Sequence, residues 1–464
     1  MTPSKSNIGI AIVGAGERGV YFIGSRIAEA ARDTGLRIIG VFDRLQDRAE
    51  FAAGHLSEIY DNSGTDHAVR VFTSLEEATA DPSVDLVVVT THTDSHREPV
   101  ERAIARGKRV YLDKPISVTL SDAEAIARAE QQSGQPIMMG FTRRYEQSWI
   151  ESVRIAHSGR IGQPRMVLLR SVIPYTRYLQ LWHRSGARSG GALNDKGSHH
   201  FDVLNWIADG AQPVQVTATG GVSGIFAPDP TAPERCSECD RDCPYRRHET
   251  LIDKFEGIGH VPNASWQTAE AIHDRNDTCV YHPVADIDDH AVVTVQYDSG
   301  LVATLFFAIF GPWATDQETL EIIGDSGRLR MERHSGDIDL VEQHGRSRAM
   351  VHHPTPDRAS SHYGADRALL RKLERFRMGA RPPAGVKDGV PSLPLVTAAQ
   401  LSLAEHCTPC RPRGGVPASA AQYATPPCLT GCVPMRRRWA CAPSTATSIT
   451  IPICPMGTAR SRMR

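Results

Sequence analysis

The last 58 residues of the 464-residue chain, from Cys407 onward, contain no Asp, no Glu and no Lys. They hold eight Arg, nine Pro and six Cys instead, and no helical or strand period persists through them. The chain as a whole carries 53 acids, so this stretch does not read as a continuation of the domain before it. "AAQLSLAEH" just upstream reads as a helix cut off in mid-phrase. The composition predicts a shifted reading frame near residue 406. An Arg-rich low-complexity interaction tail is the alternative, and exposed thiols weigh against it. Residues 406–464 are therefore expected to be disordered. They receive no function, and their cysteines are not counted as ligands.

Other absences narrow the rest. The formal net charge is only −1, so there is no bulk electrostatic case for nucleic acid or an anionic membrane as partner. No apolar run reaches the length of a membrane span. "MTPSKSNIGIAIVGAG" at the start has no apolar leader before its first strand, which predicts a cytoplasmic protein. In that compartment cysteines are thiols or metal ligands rather than disulfides.

What is present begins with "NIGIAIVGAGERGVYFIG", a strand, a glycine turn and a helix. Gly14, Gly16 and Gly19 fit G-x-G-x-x-G, the spacing that lets a dinucleotide pyrophosphate approach the backbone at a helix N-terminus. Glycines also mark ordinary turns, and the context supplies the specificity. "LRIIGVFD" ends a second apolar strand in Asp43, placed to accept from ribose hydroxyls and to repel a 2′-phosphate. That favours NAD; Arg44 beside it is the signal for NADP. Ser74 with Glu77 and Ser121 with Glu124 read as capping boxes that open helices. "DLVVVT", "RVYLDK" and "PIMMGF" are further apolar strands, so strand–helix alternation predicts a doubly wound parallel sheet over residues 1–141. Ligands sit at the carboxyl ends of such strands. That puts Thr90–Thr93, Asp113 and Lys114 on the cofactor side; a solvated ion pair is the bland reading of the last two.

"SGGALNDKGSHHFDVLNWIADG" is the other dense stretch. A helix starting near Asn194 would carry Asp195 and His199 on one face, four residues apart. An acid beside an imidazole suits general-base chemistry near neutral pH. A helix cap with a histidine one turn later is the alternative. Further on, Cys236, Cys239 and Cys243 with Cys279 give C-x2-C-x3-C and a distant fourth thiol. That pattern suits a four-thiolate structural zinc, or an iron–sulfur cluster, in an insert over about 226–285. Four free thiols in a loop are the alternative. From residue 290, "HAVVTVQYDSGLVATLFFAIF" and "LEIIGDSGRLRME" read as antiparallel hairpins. One face of that sheet is apolar enough for a contact between subunits. Helices are expected over 363–378 and 396–405.

With these residues in hand, the chain resembles the Gfo/Idh/MocA oxidoreductases, a family that includes glucose-fructose oxidoreductase and inositol 2-dehydrogenase. "IAIVGAGERG", "VVVTTHTDSH", "VYLDKPIS", "GFTRRY", "SGGALNDKGSHHFD" and "QETLEIIGDSGRLRMER" carry the resemblance, in family order across about residues 7–405. It implies a Rossmann domain over 1–141 and a substrate and oligomerisation domain over 142–405. The second would be an α/β domain with a large, mostly antiparallel open sheet, often used for homo-oligomer formation. It implies NAD(P)-dependent oxidation or reduction of sugars, cyclitols and related compounds. Asp113-Lys114-Pro115 matches the family's Glu-Lys-Pro with Asp for Glu, which makes Lys114 the residue that polarises the reacting hydroxyl. Asp195 and His199 match Asp-x-Gly-x-His, with His199 moving the proton and Asp195 orienting the substrate or the imidazole. Thr91, His96 and Asp113 fall in cofactor segments. Arg144, Tyr145, Trp182, Lys196 and His200 fall where substrate contacts are expected, with Arg143 and His183 beside them. Lys196 is an added cation that leaves the division of labour open. Some relatives of this type look like redox-neutral NAD-dependent glycosidases, and a non-catalytic dinucleotide or sugar sensor is a third reading.

Overall fold

The computed structural model describes residues 8–174, 176–247, 277–283, 285–312, 317–353 and 363–405. The expected aberrant tail at 406–464, and the part of the insert at 248–276, lie outside the described residues.

Six short strands, β1 (Ile8–Val13), β2 (Leu36–Phe42), β3 (Arg70–Val71), β4 (Leu86–Val89), β5 (Arg109–Leu112) and β6 (Ile137–Met139), form one parallel sheet in the order β3-β2-β1-β4-β5-β6. β1 and β4 are buried at every position. Continuous apolar runs such as "IGIAIV" and "LVVV" therefore fill a strand covered on both faces. The order reverses between β1 and β4, and in such sheets the ligand crevice lies at that point, outside the carboxyl ends of the strands.

Capping explains where the helices start. Ser74 accepts from the Glu77 amide at 3.1 Å, as the pattern predicts. The other box is displaced: Thr119, not Ser121, caps the helix Leu120–Ser133 and accepts from the Asp122 amide at 3.1 Å. Thr119-x-x-Asp122 is an equally good capping sequence two residues earlier, and the following Leu120 enters the helix behind it.

The second sheet has eight strands. They are β7 (Pro164–Val172), β8 (Pro213–Gly221), β9 (His290–Tyr297), β10 (Val302–Ala308), β11 (Glu318–Gly324), β12 (Arg328–Glu332), β13 (Asp337–Glu342) and β14 (Ser347–His352), in the order β14-β13-β12-β11-β7-β10-β9-β8. All pairs are antiparallel except β7 with β10. Period-2 burial separates its faces. Leu320, Ile322, Leu329 and Met331 point into the core. On the opposite face Met166 (55% exposed) and Ile323 (40%) are cross-strand neighbours, as are Phe306 (46%) and Val292 (38%).

Two helices depart from the sequence reading. The one expected from Asn194 is broken at Lys196 into Gly191–Asp195 and Gly197–Ala208. The last begins at Ser392 rather than 396 and runs to Ala404. The helix Ala365–Arg377 returns to the first sheet. Its Leu369, Leu373 and Phe376 share a core with Ile10, Ile12, Ile23 and Leu56. No helix among the described residues is long and apolar enough to cross a membrane.

Candidate active site

The crevice is lined by the turns that follow β1, β2, β4 and β5. Gly14 has φ +100°, and a Cβ there would strike the backbone of Thr90 and Thr91. A Cβ on Gly19 would lie 2.4 Å from the Gly14 carbonyl and 2.5 Å from the Thr90 hydroxyl, which itself donates to Gly14 O at 2.8 Å. Gly16 is different: a Cβ there would meet open space. Two glycines are thus required by the protein's own packing, and the third borders the space a pyrophosphate would fill. Asp43, half-buried at the end of β2, accepts from the amides of Ala15 and Leu45 at 2.8 and 2.9 Å; Arg44 is exposed. The turn, the open space at Gly16 and the carboxylate beyond β2 fit a dinucleotide.

Thr91 donates to the Ser95 carbonyl at 3.2 Å. His96 is buried with its ring nitrogens on the carbonyls of Thr91 (3.2 Å) and Ile116 (3.3 Å), and burial lowers its pKa. It ties the turn after β4 to the turn after β5. Asp113 is also buried, and accepts from the Tyr111 hydroxyl at 2.8 Å and from Arg18 Nε at 3.2 Å. Arg18, in the glycine turn, reaches Asp366 at 2.7 Å with its other arm.

Lys114 follows, joined to Pro115 by a cis peptide bond. Its ammonium donates to the Asp195 carbonyl at 2.8 Å and to the Asp195 carboxylate at 3.1 Å. Asp195 also accepts from the Tyr178 hydroxyl at 2.5 Å. Burial pushes its carboxyl pKa up, but Lys114 foremost, then His183 and Tyr178, bring it down to about 2, so it is an anion. Among the described residues no hydrogen bond joins Asp195 to His199, and the His199 Nδ1 is buried without a partner. Burial, then the cations Lys114, Arg143 and Lys196, hold the His199 imidazole neutral well below its ordinary range. Asp195 is thus hydrogen-bonded to the lysine and not to the imidazole. Trp182 stacks between His92 (4.3 Å) and His183 (4.0 Å). Burial lowers His183 to about 3.

Beneath lies an ion cluster that motif reading missed. Glu318, at the start of β11, accepts twice from Arg143 at 2.7 Å, from Arg333, from Lys196 at 3.1 Å, and bonds His200 Nε2 at 3.1 Å. Arg333 is also forked onto Glu146 at 2.8 Å. Burial lowers Lys196 to about 7 against the pull of Glu318, and lowers His200 to about 4. Arg144 is taken by Asp202 (2.8–3.1 Å) and Asp388 (3.2 Å), and the Tyr145 hydroxyl donates to the Met139 carbonyl at 3.0 Å. Arg144 and Tyr145 thus have their polar atoms engaged by protein, while His200 engages Nε2 on Glu318 and leaves its buried Nδ1 without a hydrogen bond. One signal for Glu318 was available: it shares strand parity with inward-facing Leu320 and Ile322, which marks an acid aimed at the core.

The four-thiolate metal site expected from the cysteine spacing finds no support among the described residues. Among the described residues no three His, Cys, Asp or Glu side chains form a group able to hold a metal ion. Cys236, Cys239, Cys243 and Cys279 are free thiols. A single bridge, Arg235 with Thr278, brings their segments together. Burial foremost, with Cys279, Asp277 and Cys243 nearby, raises the Cys236 thiol.

Comparison with known proteins agrees with this geometry. Residues 8–141 match the Gfo/Idh/MocA oxidoreductase family's NAD-binding Rossmann domain, and residues 156–408 its C-terminal alpha/beta domain. The chain belongs to this family. An inositol 2-dehydrogenase of Rhizobium meliloti is 30% identical over 189 residues, 40% of this chain and 51% of that protein. The scyllo-inositol 2-dehydrogenase (NAD(+)) of Bacillus subtilis is 24% identical over 46% of this chain and 57% of its own length. The chain thus spans between half and three-fifths of the curated relatives it matches. An NAD binding oxidoreductase of Klebsiella pneumoniae superposes with a TM-score of 0.65 at 18% identity, over 88% of this chain and all of its own, which shows the fold.

Proposed function

We propose that this member of the Gfo/Idh/MocA family is an NAD-dependent dehydrogenase for a secondary alcohol of a sugar, cyclitol or related polyol. The observation that carries the reading is Lys114. It leaves the cofactor-side strand β5 and is locked by two hydrogen bonds to Asp195, one turn ahead of His199. A bound nicotinamide dinucleotide would supply the hydride acceptor. The chain's residues then have separable tasks. The Lys114 ammonium stabilises alkoxide character on the substrate oxygen. Neutral His199 accepts the hydroxyl proton as the carbinol carbon becomes a carbonyl. Asp195 stays ionised and aims Lys114, while the partly exposed Trp182 offers the edge of its ring to the polyol. Gly14, Gly16, Gly19 and Asp43 hold the dinucleotide, and Asp43 favours NAD over NADP. The names of the inositol dehydrogenase relatives support a cyclitol among the substrates. The apolar outer face of the second sheet, with Met166 and Phe306, supports association of two copies.

Nicotinamide absorbance tests this, with NAD and then NADP, against sugars, inositols and their derivatives. Reduction that requires one substrate class and exceeds the NADP rate is the expected result. Sugar release without NADH would instead favour a redox-neutral glycosidase. Dinucleotide binding with no chemistry on any substrate would overturn the dehydrogenase.

A further inference from the structure

The Cys-bearing insert has no role in the chemistry above, yet it grips the segment that does. Thr176–Ser185 forms a strap across the crevice. Arg177 reaches Glu17 of the glycine turn at 2.9 Å, Tyr178 donates to Asp195 at 2.5 Å, and Trp182 stacks on His92 after β4. Three side chains in six residues thus touch both cofactor turns and the carboxylate that aims Lys114. Between them stands Gln180, 1% exposed. Both ends of its amide are taken by the insert. Its Nε2 donates to the Tyr245 carbonyl at 3.0 Å, and its Oε1 accepts from Arg247 Nε at 2.9 Å. Tyr245 is in turn set in an aromatic group with Phe226 (centroids 5.2 Å apart) and Tyr281 (6.4 Å).

We infer that the insert sets the substrate fit of the site by holding the strap through Gln180, which makes Gln180 and Arg247 positioning residues for Tyr178 and Trp182. A buried amide with both ends paired fixes a backbone more firmly than an apolar contact, because slippage leaves a buried donor and acceptor unpaired. Motion of the strap shifts Trp182 and loosens Asp195. Lys114 keeps its bond to the Asp195 carbonyl, so the effect falls on substrate fit before chemistry. The inference rests on the proposed site at Lys114, Asp195 and His199.

The test uses the full chain with Arg247→Met and Gln180→Leu, each checked for an unchanged thermal midpoint. Arg247→Met removes one of the two strap bonds from outside and is the gentler change. Two readouts are needed. The first is acrylamide quenching of Trp182, taken as the difference between chains with and without Trp182→Phe. The second is steady-state kinetics on the substrate found above. The expected result is at least a doubling of the Trp182 quenching constant and a rise of about tenfold in substrate KM, with kcat and NAD affinity within twofold. A merely structural role would lower the active fraction and kcat while leaving KM and quenching alone, and that result overturns the inference. So does increased quenching with an unchanged KM. If quenching rises in both variants while no substrate gives turnover, the insert's hold on the strap stands and the dehydrogenase reading falls.

Discussion

The rim of the crevice and its floor use charge in opposite ways. At the rim, Lys114 is 17% exposed in its side chain and meets one carboxylate, with water at hand. At the floor, Glu318 gathers Arg143, Arg333 and Lys196 with almost no solvent. A rim lysine can answer a charge that appears on the substrate. A floor cluster is saturated by its own members and gives rigidity to the helix break that carries Asp195 and His199. Similar residue types thus serve reaction in one place and geometry in the other, and exposure is what divides them.

Rim and floor respond to substitution in opposite ways. Lys114→Ala should reduce kcat by about 10²–10³-fold, the scale of a lost electrostatic donor, while the thermal midpoint holds. Steady-state rates beside a melting curve check this; an equal loss of stability would move Lys114 to the floor class. Glu318→Ala should do the reverse. It leaves buried cations uncompensated and should cost about 3–5 kcal/mol in urea unfolding, and a neutral outcome would mean the floor is wetter than its burial implies. Within the glycine turn, Gly16→Ala should fold normally yet weaken NAD binding about tenfold, because only ligand space is lost. Gly19→Ala should lose stability, since its Cβ meets Gly14 and Thr90. Calorimetry of both variants separates the two; equal NAD affinity in Gly16→Ala would remove the pyrophosphate from that turn.

A pH dependence at the floor concerns Lys196. Its folded pKa is about 7 against an ordinary 10.5. Below pH 7 folded and unfolded chains both hold the proton. Between about 7 and 10.5 the unfolded chain holds more protons, so stability from this group rises with pH. The unfolding free energy of the native chain relative to Lys196→Met should therefore increase from pH 6.5 to pH 9, and a pH-independent gap would exclude the shift.

Much of the rim was legible because it is written locally. Glycine spacing, an acid ending β2 and Lys114-Pro115 at the end of β5 are short-range signals with one backbone consequence each. The floor was not, because its meaning is a distance in space. Arg143 and Glu318 are 175 residues apart and meet only when β11 is laid beside β7. The break at Lys196 was half-legible, since Gly197 offers the chain a place to interrupt the helix. The cysteine spacing is a local pattern too, and among the described residues its four members are free thiols with no metal-holding group around them.

The helix Ala365–Arg377 closes the far face of the first sheet, and its Asp366 holds Arg18 of the glycine turn. A ribosome adding about 5–20 residues per second leaves that face uncovered for on the order of tens of seconds after β1 has emerged. The nascent chain therefore depends on its late codons to finish its earliest element, and a ribosome that stops short of residue 365 releases a nucleotide domain with one apolar wall still open to chaperones.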